Sequence, residues 1–384
     1  MAARWLTPLS ERFFRRRADF RSAQGFVGRA DPLDSAWFSP RLDYHCRVMT
    51  NGLPPRRERR PAATMNLISL THRPSTPSTR YRTSLLLPVL RDHGIQVDCR
   101  EAKSGLLASL RTARELEDYD VVIVQKRLFS GPTLRRVRSR ARRLVYDFDD
   151  AVYLSRDGDS PTRRKRFSAM VKAADLTIAG NAFLAEAALR AGGRRVEILP
   201  TALDPHRYRT REHGESAILS WIGGGGNLPY LESIIPALEE ATRTDSRLCL
   251  RVICDRFPGS SALSLEKWAW SERTEARVLA GSDIGLAPLP DEPWTRGKCG
   301  LKILQYMAAG LPVVASPVGV QSDIVDDGRT GVLASSREEW TRAVLELAAD
   351  REKRQRFGEA GRAKVERDYS VTEVGRRLAE LLEP

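Results

Sequence analysis

Residues 281–319 decide how the rest of the chain is read. They begin Gly281-Ser282-Asp283-Ile284-Gly285-Leu286-Ala287-Pro288-Leu289. They continue Arg296-Gly297-Lys298-Cys299-Gly300-Leu301-Lys302-Ile303-Leu304-Gln305-Tyr306-Met307-Ala308-Ala309-Gly310-Leu311-Pro312-Val313-Val314-Ala315-Ser316-Pro317-Val318-Gly319. The pattern is a short apolar strand, a loop, a helix stopped by glycine, a second apolar strand and a glycine loop. Lys298, Lys302 and Tyr306 stand four apart at the start of the predicted helix, so neighbours in this set share a face. Cations at a helix start oppose its dipole. Either these lysines are solvated on a surface helix, or an anion lies between them.

The same alternation extends in both directions. Upstream, strand-like runs fall at 217–222 and 248–254, with helices about 228–243, 272–280 and 300–309; downstream, helices follow at about 336–349 and 351–366. From Met65, a first series places strands at 66–70, 95–99, 120–125, 143–148, 176–179 and 196–199. Helices at about 79–93, 102–117, 132–141, 162–174 and 181–191 lie between them, the last capped by Asn181 and stopped by Gly192-Gly193. Alternation of this kind predicts an α/β protein with parallel sheets covered by helices on both faces. The polar stretch 208–215 reads as a linker. The expected division is a basic, poorly ordered arm at 1–64 and two Rossmann-like domains, at 65–212 and 213–384. Ligands of such sheets sit at the carboxyl ends of the strands, so two facing domains imply a cleft.

Composition narrows the class. The 384 residues are 41% hydrophobic and 29% charged, ordinary globular values. No run reaches the ~18 apolar residues of a membrane span. No secretory leader is evident at Met1, which predicts a cytoplasmic protein. Five scattered cysteines without a C-x-x-C pair suggest free thiols rather than a disulfide framework or structural zinc. The net charge is +14, and residues 1–64 hold 13 arginines and 6 acids, half of that excess. That arm suits contact with the inner face of a membrane, or is dispensable with Met65 as the functional start. No nucleic-acid-reading motif accompanies the charge.

Two further stretches bear on chemistry. Trp221-Ile222-Gly223-Gly224-Gly225-Gly226-Asn227 ends a strand and leads into a helix at Leu228-Pro229. Glycine amides beside a helix start suit a diphosphate, although such a run also serves as a simple turn. It is not a P-loop, because no Gly-Lys-Ser/Thr follows. Asp147-Phe148-Asp149-Asp150 ends another strand, and carboxylates placed there could bind a metal ion, act as a general base or cap the strand end.

The stretch 281–333 resembles the family 4, or group 1, glycosyltransferases, whose architecture is the GT-B fold. The match is densest over 217–333. Met307 to Ala315 fits the second half of the family signature. The two signature acids are absent: Gly297 and Gln305 stand in their places. The chain instead resembles a subgroup reading Gly-Lys-Cys-x-x-Lys-x-Leu-Gln-Tyr-Met-Ala. The resemblance implies that Gln305 meets the ribose hydroxyls, and that backbone around Gly300 replaces the missing sugar-binding acid. It implies the nucleotide base beside Cys254 and the Trp270 segment, the sugar beside Gly319, and Arg80 on a first loop facing the cleft. The implied activity is retaining, metal-independent transfer from a nucleotide-diphosphate sugar, with no cofactor, to a glycan, lipid-linked or small-molecule acceptor. Lys298, Lys302, Arg80 and Asp149 are the expected catalytic residues; Gly223, Gly224, Gly225, Gly226 and Asn227 are the expected diphosphate cradle. A non-catalytic nucleotide-sugar binder and a sugar-nucleotide epimerase are the alternatives.

Overall fold

The computed structural model describes residues 65–71, 76–102, 115–155, 158–215, 217–259 and 262–383. The expected arm and most of the expected helix at 102–117 lie outside them. Two six-stranded parallel sheets form the frame. The first comprises β1 (Met65–Thr71), β2 (Ile95–Glu101), β3 (Val121–Gln125), β4 (Arg143–Phe148), β5 (Leu176–Ala179) and β6 (Val196–Ile198), in the order β2-β1-β3-β4-β5-β6. The second comprises β7 (Ile218–Ile222), β8 (Cys249–Cys254), β9 (Ser264–Ala269), β10 (Ile284–Ala287), β11 (Val313–Ala315) and β12 (Gly331–Leu333), in the order β12-β11-β10-β7-β8-β9.

Strand alternation gives each sheet two apolar faces. In the first, Ile68, Val122, Val124, Leu144, Tyr146 and Phe148 pack with Leu134, Phe167, Met170 and Leu184 from the helices Gly131–Arg140, Pro161–Ala173 and Ala182–Arg190. Leu67, Val121, Ile123, Val145 and Ile178 point the other way, against Leu86, Leu90, Val374, Leu378 and Leu382. In the second, the Tyr306 ring lies where a side chain on Gly285 would have to go. Its hydroxyl accepts from the Ile222 amide at 3.0 Å and donates to the Leu286 carbonyl at 3.1 Å, joining β7 to β10.

Several elements differ from the sequence reading. The predicted helix at 79–93 breaks at Thr83, and the one at 228–243 breaks before Ile235–Thr244, where Pro236 supplies no amide donor. β9 and β12 were not expected. β9 is an edge strand with mostly exposed residues, and β12 has three residues, so neither carries an apolar run. The helix Val371–Leu382 was also not expected. The reading assigned 213–384 to the second domain, yet Val374, Leu378 and Leu382 of this helix pack on the first sheet. The backbone therefore passes between the lobes twice. The passes are bonded to each other: the Leu203 amide donates to the Tyr369 carbonyl at 2.8 Å, and the Val371 amide donates to the Leu203 carbonyl at 2.9 Å.

Candidate active site

At the head of β7 the chain turns through Gly223–Asn227 into the helix Leu228–Glu232. A Cβ on Gly223 would lie 2.8 Å from the Trp221 ring and 2.9 Å from Lys302 Nζ, so this position must be glycine. Lys302 comes from the first turn of the helix Leu301–Ala308, whose preceding residue, Gly300, takes a left-handed φ of 69°. The ammonium sits 4.1 Å above the Trp221 ring. Burial first, and the neighbouring Lys298 charge second, lower the Lys302 pKa to about 7. No carboxylate among the described residues forms an ion pair with it. Lys298 lies 5.8 Å from the Tyr230 ring centre and 6.0 Å from that of Trp294.

The turn amides are partly engaged. The Gly223 amide donates to the Ile253 carbonyl at 3.0 Å, and the Gly225 amide donates to Asp255 Oδ1 at 2.6 Å. That second bond holds the Asp255 carboxyl below its ordinary range. The Cys254 thiol also donates to Asp255, and burial pushes its own pKa up. Gly224 and Gly226 are exposed, and the buried Asn227 Oδ1 has no hydrogen-bond partner.

A second cluster gathers around Glu275, which opens the helix Glu275–Ala280 and is 2% exposed. Arg80, from the helix Pro77–Arg82, pairs with Glu275 at 3.0 Å and with Glu272 at 3.2 Å. The Tyr81 hydroxyl donates to Glu275 Oε1 at 3.2 Å, and Trp270 Nε1 donates to Glu275 Oε2 at 2.9 Å. Gln305 is buried and donates to the hydroxyls of Tyr81 at 3.3 Å and Tyr208 at 3.2 Å. Arg80, Trp270 and Gln305 are thus joined to one another across the lobes.

The third cluster lies on the first lobe. Lys126 is the one non-glycine residue with positive φ among the described residues, at 57°. Its ammonium meets Ser78 Oγ at 2.9 Å and Asp149 at 3.0 Å, and also binds Asp150. Burial opposes ionisation of Asp149, but Lys126 and Arg82 outweigh it and hold its pKa low. Asp147 is taken by Arg82. These carboxylates are therefore neutralised by protein cations rather than gathered as a ligand set. The Cys299 thiol donates to the Asp149 carbonyl at 3.3 Å. Asn181 caps its own helix through Leu184 and donates across the lobes to the carbonyls of Lys298 at 2.9 Å and Arg296 at 3.3 Å. A Cβ on Gly297 would lie 2.8 Å from the Ala151 methyl, and one on Gly319, at φ 54°, 2.8 Å from the Arg296 carbonyl oxygen.

The structure brings Lys298, Lys302, Gly223 and Cys254 to one region at the head of the second sheet. Asp149 stands with Cys299 and Gly297 at the facing rim. Glu275, Tyr208 and Trp221 were not singled out from sequence. A glutamate in a helix's first turn usually faces water, and nothing local shows that Arg80, Tyr81 and Trp270 converge on it.

The family model described as glycosyl transferases group 1 matches residues 264–350. The D-inositol 3-phosphate glycosyltransferase of Nocardia farcinica is 25% identical over 197 residues, 43% of this chain and 42% of that protein. The GDP-mannose-dependent alpha-(1-6)-phosphatidylinositol monomannoside mannosyltransferase of Mycobacterium tuberculosis is 30% identical over 190 residues, 48% of this chain and 43% of the relative. These matches span less than half the length of either relative. Among solved structures, Anabaena HepE with UDP and glucose aligns with a TM-score of 0.65 at 17% identity, covering 83% of this chain and 99% of that one. Sucrose-phosphate synthase of Thermosynechococcus elongatus aligns with a TM-score of 0.65 at 16% identity, covering 82% and 98%. The fold is GT-B. Within this GT-B chain the group 1 match covers Lys298, Lys302, Gln305 and Glu275. No helix among the described residues is long and apolar enough to cross a membrane.

Proposed function

We propose that the protein is a retaining glycosyltransferase that uses a nucleotide-diphosphate sugar. One observation carries the reading: a partly buried lysine, Lys302, lies under a glycine turn at the head of a sheet, with no carboxylate among the described residues to pair with. A buried ammonium without a counter-charge is costly, and a diphosphate supplies the missing charge. The group 1 match and the UDP complexes of HepE support the same class of ligand. As the bond from sugar to phosphate breaks, negative charge grows on the departing diphosphate. Lys302, Lys298 and the Gly224 and Gly226 amides would meet that charge from fixed positions. The acceptor would enter from the first-lobe rim, where Asp149 and Asp150 are held by Lys126.

The test is a thermal-shift screen against nucleotide sugars, followed by product analysis with the sugar that binds. Transfer to an acceptor supports the reading. Donor conversion without an acceptor would make the protein an epimerase, and tight binding without turnover would make it a non-catalytic binder. Preorganised donors of this kind are worth ~3 kcal/mol each, so Lys302→Ala should lower turnover at least ~10-fold. Unchanged turnover in that variant would remove Lys302 from the mechanism.

A further inference from the structure

The first lobe carries a strongly charged surface that the candidate active site does not use. In the first sheet, β3, β4, β5 and β6 lie side by side in sequence order. Right-handed crossovers then put the intervening helices Gly131–Arg140, Pro161–Ala173 and Ala182–Arg190 on one face, and their apolar sides share one core. The outer sides of the first two are basic. The first helix bears Arg135, Arg136, Arg138 and Arg140; the second bears Arg163, Arg164, Lys165, Arg166 and Lys172; neither contains an acid.

The two helices hold nine cations, more than the whole net charge of +7 over residues 65–384. Arg138, Arg140 and Arg164 pair with Asp175, Glu117 and Asp159. The other six have no carboxylate partner among the described residues. Four of the cations crowd the first turns of Pro161–Ala173, where the helix dipole favours acids. That arrangement raises the free energy of the isolated protein and lowers it against a negative surface.

We propose that this helical face is the docking surface for an anionic lipid bilayer. Charge complementarity excludes the occupants within the chain: residues 1–64 are themselves net +7, and a second copy brings another +14. The face is a layer of helices rather than a groove, and the described part of it presents no aromatic pair on which bases would stack. Leu189, 55% exposed and next to Arg190, supplies an apolar side chain at the border of the same layer. The Lys172 stem packs on Gly192, which ties the turn after that helix to the basic pair. The helices begin at the carboxyl ends of their strands, so Arg163 to Arg166 sit on the side from which an acceptor would reach the cleft. Docking does not depend on the reading of the donor site.

The experiment is co-sedimentation of the full chain with vesicles of phosphatidylcholine alone or mixed with phosphatidylglycerol. One variant combines Arg135→Gln, Arg136→Gln, Lys165→Gln and Arg166→Gln. A control of equal charge combines Arg243→Gln, Arg277→Gln, Arg342→Gln and Arg356→Gln on the second lobe. The parent and the control should bind the anionic vesicles and release them with salt, while the first-lobe variant binds at least ~10-fold more weakly. Equal binding by the first-lobe variant overturns the proposal, since another segment would then be the anchor. So does equal loss in the control, or binding to soluble heparin without binding to vesicles.

Discussion

Lys302 carries a consequence for pH whose sign is fixed. Burial lowers its folded-state pKa from the ordinary lysine value to about 7. Between about 7 and ~10.4 the unfolded chain holds this proton and the folded chain does not. Stability therefore rises with pH across that window, and the loss is complete below it. Lys302→Met keeps the stem and removes the charge. It should raise the Tm of the unliganded protein near neutral pH and flatten the rise toward pH ~10. A variant whose Tm follows the parent at every pH would contradict the burial argument. At Gly297 the sequence shows a glycine where the signature it resembles would place an acid, but not why. Packing supplies the reason, because the Ala151 methyl occupies the space. Gly297→Ala should destabilise the protein by about 1–3 kcal/mol and weaken donor binding, as read by denaturant titration and thermal shift. Glu275 is the reverse case: its chemistry was hidden because burial and its three side-chain partners are properties of the folded chain.

Among the elements, parallel strands covered on both faces read as continuous apolar runs, and for that reason β1, β3, β4, β7, β8 and β10 were legible. β9 was not, since Glu266, Lys267 and Trp268 stand at an open edge. The short helix Leu301–Ala308 was legible in extent, but its role in joining strands was not. Tyr306 reaches from it into the second sheet and satisfies two backbone groups. Tyr306→Phe should cost about 1–3 kcal/mol in denaturant unfolding, since the Ile222 amide and the Leu286 carbonyl lose a partner. It should also weaken donor binding, because Ile222 leads directly into the glycine turn. Loss of stability with unchanged donor affinity would show that the turn keeps its place without this tie.

At the scale of the molecule, polar groups join the lobes close to the site. Glu275→Ala leaves the Arg80 guanidinium, 12% exposed, without its buried partner. Removing one member of such a pair costs about 3–5 kcal/mol, which calorimetry would read as a lower transition temperature. A drop no larger than that of an exposed pair would mean that Glu272 alone suffices. The two-lobe plan was legible in the repeated alternation of strand and helix. The return of Val371–Leu382 to the first lobe was not, because an amphipathic helix does not name the surface it covers. That return shapes how the protein can move. With two lengths of backbone laced together at Leu203 and Tyr369–Val371, bending has to occur in both at one level. Any turn of one lobe against the other then has to be taken up by both lengths together, or it breaks those bonds.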